Sequence, residues 1–310
     1  MKRFLFPATL AISLLLSGCD IEEFGNSDRF QANFHYNYPL QPGGRINIEN
    51  FNGSVEITGW DQNTVDISGV KYAATEAMRD AIKIDVTPSA DSIYIRTIRP
   101  SDRLGNMGAR YVLKVPRKVQ LERIGNTNGA VRASDIQGAA HLRTTNGEIH
   151  VARFEGGLDA TTTNGSIDVE DVNGGVNLHT SNGRVRADAI RGGPFEAVTS
   201  NGGISLHLPA SPSGSPLKLT TSNGSIDLTL DSVPTSDIRA SSTNGPITLH
   251  LPAATSARVR AVTTNSSITT DFTTSMQGEV TKHHLEGTIG QGGPLLDIST
   301  SNGNVRLLKM

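Results

Sequence analysis

Apolar and polar residues alternate along this chain in short runs, and from about residue 119 the runs recur at a nearly fixed period. In one run Val176, Leu178 and Thr180 share a parity with Asn182, and Val185 and Ala187 resume it after a break. Phe195, Ala197 and Thr199 before Ile204 and Leu206 repeat the arrangement, as do Leu217, Leu219 and Thr221 before Ile226 and Leu228. Period two is that of a strand with one buried face, so each repeat reads as two short strands joined by a turn. The turn is written Asn128-Gly129, Asn146-Gly147, Asn164-Gly165, Asn182-Gly183, Asn201-Gly202, Asn223-Gly224, Asn244-Gly245 and Asn302-Gly303. From Asn128 to Asn244 the steps are 18, 18, 18, 19, 22 and 21 residues; Asn265-Ser266 follows after 21 and Asn302 after 37 more. A second bend recurs midway, as Gly156-Gly157, Gly174-Gly175 and Gly192-Gly193.

Fixed-period self-similarity is the mark of stacked repeats. Two architectures fit: an antiparallel meander of hairpins, for which Asn-Gly is a strong local signal, and a β-solenoid in which each repeat is one coil. A meander has no need of the same Thr and Asn in every hairpin. A solenoid places identical side chains above one another, where they form polar ladders. The pattern therefore predicts an all-β fold, a β-solenoid of about 18–22-residue coils. By analogy with parallel crossovers it is expected to be a right-handed single-stranded β-helix. Roughly ten coils make a rod about 50 Å long. The longer step containing "PASPSGSP" is placed in a loop at the opposite corner, and the 37-residue step is read as holding a turn whose signature is lost.

Upstream, Ile46 and Ile48 precede a further pair, Asn52-Gly53, and Val55 and Ile57 follow it. "ATEAMRDAIKI" puts Ala77, Met78, Ala81 and Ile82 on one helical face, which allows a short helix within 73–84. The expected divisions are a leader over 1–18, a tether over 19–40, a β-rich portion with that short helix over 41–118, and the repeated coils over 119–310.

Composition narrows the class. Net charge is -2, charges are interspersed, and nothing predicts a nucleic-acid partner. Hydrophobic content of 36% with 5% aromatic residues is low for a compact enzyme core but sufficient for a thin repetitive fold. The leader combines Lys2 and Arg3 with an apolar stretch from Phe4 to Leu16, too short to span a membrane. It ends Leu16-Ser17-Gly18-Cys19, which resembles the lipobox of bacterial lipoproteins, and Cys19 is the sole cysteine. The resemblance implies cleavage before Cys19, acylation of that residue and a membrane partner through the lipid. Asp20 resembles the inner-membrane retention signal of some Gram-negative lipoproteins, which tilts the expectation toward the periplasmic face of that membrane.

The Asn-Gly pairs read as structural corners, with glycine supplying positive φ and the Asn amide bonding nearby backbone. A row of Asn and Thr that binds sugar, ice or metal is disfavoured, because Thr144, Thr180, Thr199, Thr221, Thr263 and Thr300 share the parity of the core. The outward positions after the turn vary from copy to copy, as in Glu148 and His150, Asp168, or Arg184 and Arg186. No nucleophile elbow, phosphate loop, dinucleotide fingerprint or His-Glu-x-x-His is present. His283 and His284 point to opposite faces of a strand, so they make no metal site, while Glu286 lies on the side of His284. Asp159, Asp168, Asp171 and Asp188 are candidate carboxylates by type alone. No cofactor or metal is implied.

Asn50 to Trp60, a Val115 to Leu121 strand and the repeated Thr-x-Asn-Gly coils together resemble the bacterial putative-adhesin family, whose function is unknown. The resemblance spans about residues 40 to 308 and implies a β-solenoid with a cell-envelope role. It brings no catalytic residues. The expected function is that of a non-enzymatic, lipid-anchored envelope protein whose rigid surface binds an envelope protein or glycan. The alternatives are an envelope-stress or regulatory accessory protein and a carbohydrate-active β-helix enzyme.

Overall fold

The computed structural model of the chain describes residues 29–101, 105–210, 215–272 and 276–310. The leader and residues 19–28 of the expected tether, Cys19 and Asp20 among them, lie outside the described residues; residues 30–39 of that tether form a strand. The chain opens with β1 (Phe30–Pro39), β2 (Gly44–Asn52), β3 (Val55–Trp60), β4 (Thr64–Ala73), α1 (Glu76–Ala81), β5 (Lys83–Pro88), β6 (Ser92–Ile98) and β7 (Met107–Pro116). The repeats then supply strands in pairs. These are β8 (Val119–Asn128) with β9 (Val131–Gln137), β10 (Ala140–Arg143) with β11 (Ile149–Glu155), and β12 (Leu158–Thr162) with β13 (Ile167–Asn173). Next come β14 (Val176–Thr180) with β15 (Val185–Arg191), β16 (Phe195–Thr199) with β17 (Ile204–Leu208), β18 (Leu217–Thr221) with β19 (Ile226–Leu230), and β20 (Ile238–Ser241) with β21 (Ile247–Leu251). The chain closes with β22 (Ala257–Thr263), β23 (Ile268–Thr270), β24 (Met276–Val280), β25 (His284–Ile289), β26 (Leu295–Thr300) and β27 (Val305–Lys309).

Each pair is one coil of a β-solenoid. Its first strand joins a 14-stranded sheet and its second a 13-stranded sheet. Successive coils pair in parallel and in register, so that Leu158 faces Val176, Val176 faces Phe195 and Phe195 faces Leu217. The same register stacks Val131, Ile149, Ile167, Val185, Ile204, Ile226 and Ile247 in the opposite sheet. All of these residues are buried, and one continuous apolar core runs between the two sheets. Burying a β-branched or leucine side chain is worth about 1.5–3 kcal/mol. A small contribution per coil, repeated, therefore holds a core with few aromatic residues.

Spatial order departs from chain order at both ends. β6 and β7 lie outside β2 and β3, so the first coil in sequence is the second in space. At the other end β26 pairs with both β20 and β22, and β27 with both β21 and β23. The last coil of the chain is thus inserted between two that precede it. This corrects the reading of the 37-residue step: the intervening chain makes no unmarked coil. It forms the antiparallel hairpin of β24 and β25, with β25 antiparallel to β22. The portion over 41–118 likewise contains two full coils beside its helix.

Antiparallel strands close the stack. β4 covers β7 and β1 covers β4 in one sheet, while β5 covers β6 in the other. Half-buried Phe34, Tyr36, Tyr38, Ile84 and Val86 pack on the end of the core, with Phe34 edge-on to Tyr111 at 5.3 Å. Such strands shield the parallel ladder from pairing with other chains. Helix α1 begins where Thr75 accepts a hydrogen bond from the Met78 amide, and none of its residues is buried.

Candidate binding face

Three corners and two faces make up the solenoid surface. At the first corner the Asn side chains point outward, against the expectation that they share the core side, and bond one another. Asn128 Nδ2 donates to Asn52 Oδ1, and the pattern continues through Asn146, Asn164, Asn182, Asn201, Asn223, Asn244, Asn302 and Asn265 at 2.6–2.8 Å. Asn302 stands between Asn244 and Asn265, as the inserted coil requires. Behind this ladder runs a buried one. The hydroxyls of Thr144, Thr162, Thr180, Thr199, Thr221, Ser242, Thr300 and Thr263 each donate to a corner-glycine carbonyl of the neighbouring coil at 2.9–3.1 Å. Asn126 takes the place of the threonine in its coil, bonding the Gly53 carbonyl at 2.8 Å.

The corner glycines serve a purpose other than the expected positive φ. Gly53 and Gly129 have φ of 109° and 148°, but Gly147, Gly165, Gly183, Gly202, Gly224, Gly245 and Gly303 are not in that region. A Cβ at any of these seven would lie 1.7–1.9 Å from the carbonyl oxygen of the glycine on which it stacks. Close approach between coils, rather than turn geometry, excludes a side chain there. Ser266 occupies the equivalent position on β23's coil, where the sheet ends.

A column that the pattern reading missed lies within the second strands. Asp135, Arg153, Asp171 and Ala189 have φ of 51–61°. They are 18 residues apart and bend each strand outward. The signal was a slip in alternation, from Val131 and Ala133 to Ile136 rather than to residue 135. The bend aligns opposite charges: Asp61 with Arg117 at 2.7 Å, Arg117 with Asp135 at 3.6 Å, Asp135 with Arg153 through two bonds at 2.7 and 2.9 Å, and Asp171 with Arg191. The hydrogen bond from Arg153 holds the Asp135 carboxyl below the usual aspartate range.

The candidate carboxylates fall on different surfaces. Asp159 lies on the 14-stranded sheet, Asp168 and Asp188 on the 13-stranded sheet, and Asp171 at the bent corner. Asp188 is engaged by His207, which also reaches Asp231, at 2.9 and 3.0 Å. Among the described residues no three His, Cys, Asp or Glu side chains converge as metal ligands. His284 lies 3.3 Å from Glu286.

One recess stands out on the outer face of the 14-stranded sheet. A hollow of about 510 Å³ is lined by Glu49, Arg123, Asn126, His141, Arg143 and Asp159, among others. A bulge in β8 shifts its register against both β2 and β10, and turns Glu122 and Arg123 outward together. Bulges of this kind re-aim side chains. Gly125 lies between Glu49 and Arg143 in the outward column. A Cβ there meets only the Ile48 carbonyl at 3.6 Å, so the backbone does not demand glycine and its bareness opens the hollow. Ion pairing in the hollow is loose: Arg123 is 3.7 Å from Glu49, and His141 is 3.8 Å from Asp159. The Arg143 guanidinium makes no hydrogen bond or ion pair with the described residues. His141 and Asp159 also border a second hollow, of about 460 Å³, floored by Gly157, Gly175, Pro194 and Pro216 and closed by Glu196 and Lys218. The two form one trough crossing strands β2 to β18.

The fold and its ladders define a two-sheet β-solenoid repeat protein. Residues 157–308 match the model of the Toastrack family, DUF4097. Coils of the same build begin earlier, at Gly44. No curated protein matches the chain. A putative cell adhesion protein from Clostridium sporogenes is a similar solved structure, 11% identical, covering 90% of this chain and 100% of that one with a TM-score of 0.26. A putative adhesin from Bacteroides fragilis is another, 10% identical, covering 89% and 97% with a TM-score of 0.35.

Proposed function

We propose that this protein is a non-enzymatic, lipid-anchored component of the bacterial cell envelope, held by Cys19 and presenting its solenoid face to another envelope component. One observation carries the reading: the rigid stack displays a continuous trough whose guanidinium, imidazole and carboxylate groups are incompletely paired. Unpaired charge costs little while solvated and is available for a partner. The corners are self-satisfied by their ladders, so they act as scaffold and the trough as the contact surface. An outward-facing lipoprotein with such a face suits many shallow contacts along parallel strands.

Crosslinking in intact cells tests this, followed by gentle solubilisation and capture of the tagged full chain. One envelope component recovered near stoichiometrically, and lost when Arg123 and Arg143 are changed to Glu, is the expected result. Capture that is indifferent to these changes, or no capture at all, overturns the assignment of the trough. Cys19→Ala run alongside tests the anchor.

A further inference from the structure

We infer that the trough binds an acidic oligosaccharide, with a uronate carboxylate seated between Arg123 and Arg143. The inference rests on the surface reading above and names the ligand chemistry of that same face. Three features point to it. The space over Gly125 is flanked in register by Glu49 on one side and Arg143 on the other, and Arg123 projects from the bulge beside it. A guanidinium without a protein partner presents a planar fork of donors suited to a carboxylate. Phosphate would accept the same fork. However, Glu49 and Asp159 stand in the same hollow and would repel a second negative charge, whereas they accept hydrogen bonds from the hydroxyls of a sugar ring.

The second feature is the change of character along the trough. Beyond His141 and Asp159 its floor becomes apolar, formed by Gly157, Gly175, Pro194 and Pro216. A pyranose ring has an apolar face of C–H groups and a polar rim, so successive rings can lie on this floor with their rim groups in solvent while one ring's carboxylate is seated at the other end. The third feature is length. Strands β2 to β18 are seven neighbours in the sheet, which at about 4.8 Å each gives roughly 29 Å for an extended chain. A free metabolite would leave most of that length empty.

The test is calorimetric titration of the purified full chain in detergent with tetragalacturonate and an alginate tetramer. Neutral maltotetraose and inorganic phosphate serve as comparisons. At least one uronate tetramer is expected to bind, more tightly than either comparison. Arg143→Ala should weaken it by about tenfold, the loss of one charge-assisted contact. Gly125→Val should weaken it by filling the hollow, without lowering the melting midpoint, because the structure leaves room for a Cβ. No heat with either uronate, equal affinity for maltotetraose, tighter binding of phosphate, or indifference to both substitutions overturns the inference. The two readings separate cleanly. If the uronates fail while crosslinking still captures a component that depends on Arg123 and Arg143, only the saccharide is wrong. If capture fails as well, the trough is no contact surface.

Discussion

A single methyl group distinguishes the two kinds of glycine in this chain. At Gly183 it would sit 1.8 Å from the Gly165 oxygen, whereas at Gly157 nothing lies within 4 Å. Gly183→Ala must push the coils apart or flatten the corner, and overpacking of this type costs about 1–3 kcal/mol. Gly157→Ala should instead stabilise by about 0.4–1 kcal/mol, through the lost freedom of the unfolded chain. Urea denaturation of both variants checks the opposite signs, and a neutral Gly183→Ala would remove close stacking as the reason for the repeat's glycine. The sequence showed where these glycines stand without showing why, because Asn-Gly is also the signature of a tight hairpin turn. Asn182 was misplaced for a related reason: parity carried across the turn put it inside, while the corner rotates it outward into the amide ladder. A second residue-scale prediction concerns His207. The hydrogen bond to Asp188, with help from Asp231, raises its pKa above the ordinary 6.5. Its stabilising contribution is therefore complete below about pH 6.5 and disappears as pH rises through the elevated folded value. The ring is 42% exposed and its partners are solvated, so the effect is small. The stability difference between wild type and His207→Gln should shrink between pH 6 and a pH above that folded value, and a constant difference would mean the ring contributes only by packing.

At the scale of the element, the strands were legible because each repeats the same two-residue period against the same marker. Their order was not. Chain adjacency predicts spatial adjacency, and it fails where β26 and β27 enter between coils formed earlier. Nothing in residues 294–310 marks this, since an inserted coil presents the same faces as any other. The bent column at Asp135, Arg153, Asp171 and Ala189 was hidden by glycine-based reading, because none of the four is a glycine. The insertion has a measurable consequence. Ending the chain at Gly293 removes the strands that hold β22 and β23, leaving β22 only its antiparallel neighbour β25. Hydrogen exchange should then show residues 257–289 unprotected, while 158–230 keep near-native protection, as expected for stacks coupled through nearest neighbours. Retained protection over 257–289 would show that β22 and β23 dock directly on β20 and β21, and that the inserted coil is dispensable.

The described residues form a rod of eleven stacked coils, which span about 50 Å at the usual strand spacing, with antiparallel strands beyond them at both ends. Its two ends stand in different relations to Cys19. Between that residue and Phe30 an extended chain reaches at most about 38 Å, so the proposed lipid at Cys19 would confine the end made by β1, β5 and α1 to the neighbourhood of the bilayer. The hairpin of β24 and β25 lies at the opposite end. Cys19 is also the only cysteine. Acylation would block its thiol, so a newly introduced cysteine could be labelled alone. Glu76 on α1 and Glu279 on β24 are both exposed and mark the two ends. With a fluorophore at either site and a quencher carried by the lipid headgroups, Glu76→Cys should be quenched more strongly than Glu279→Cys in membranes from expressing cells. Equal quenching would mean that the rod lies flat, which would turn one sheet toward the lipid and decide whether the trough is open to the surroundings. Cys19→Ala should abolish quenching at both sites and move the protein from the membrane to the soluble fraction. Persistence in the membrane without Cys19 would show that a surface of the solenoid itself, rather than a lipid, provides the attachment.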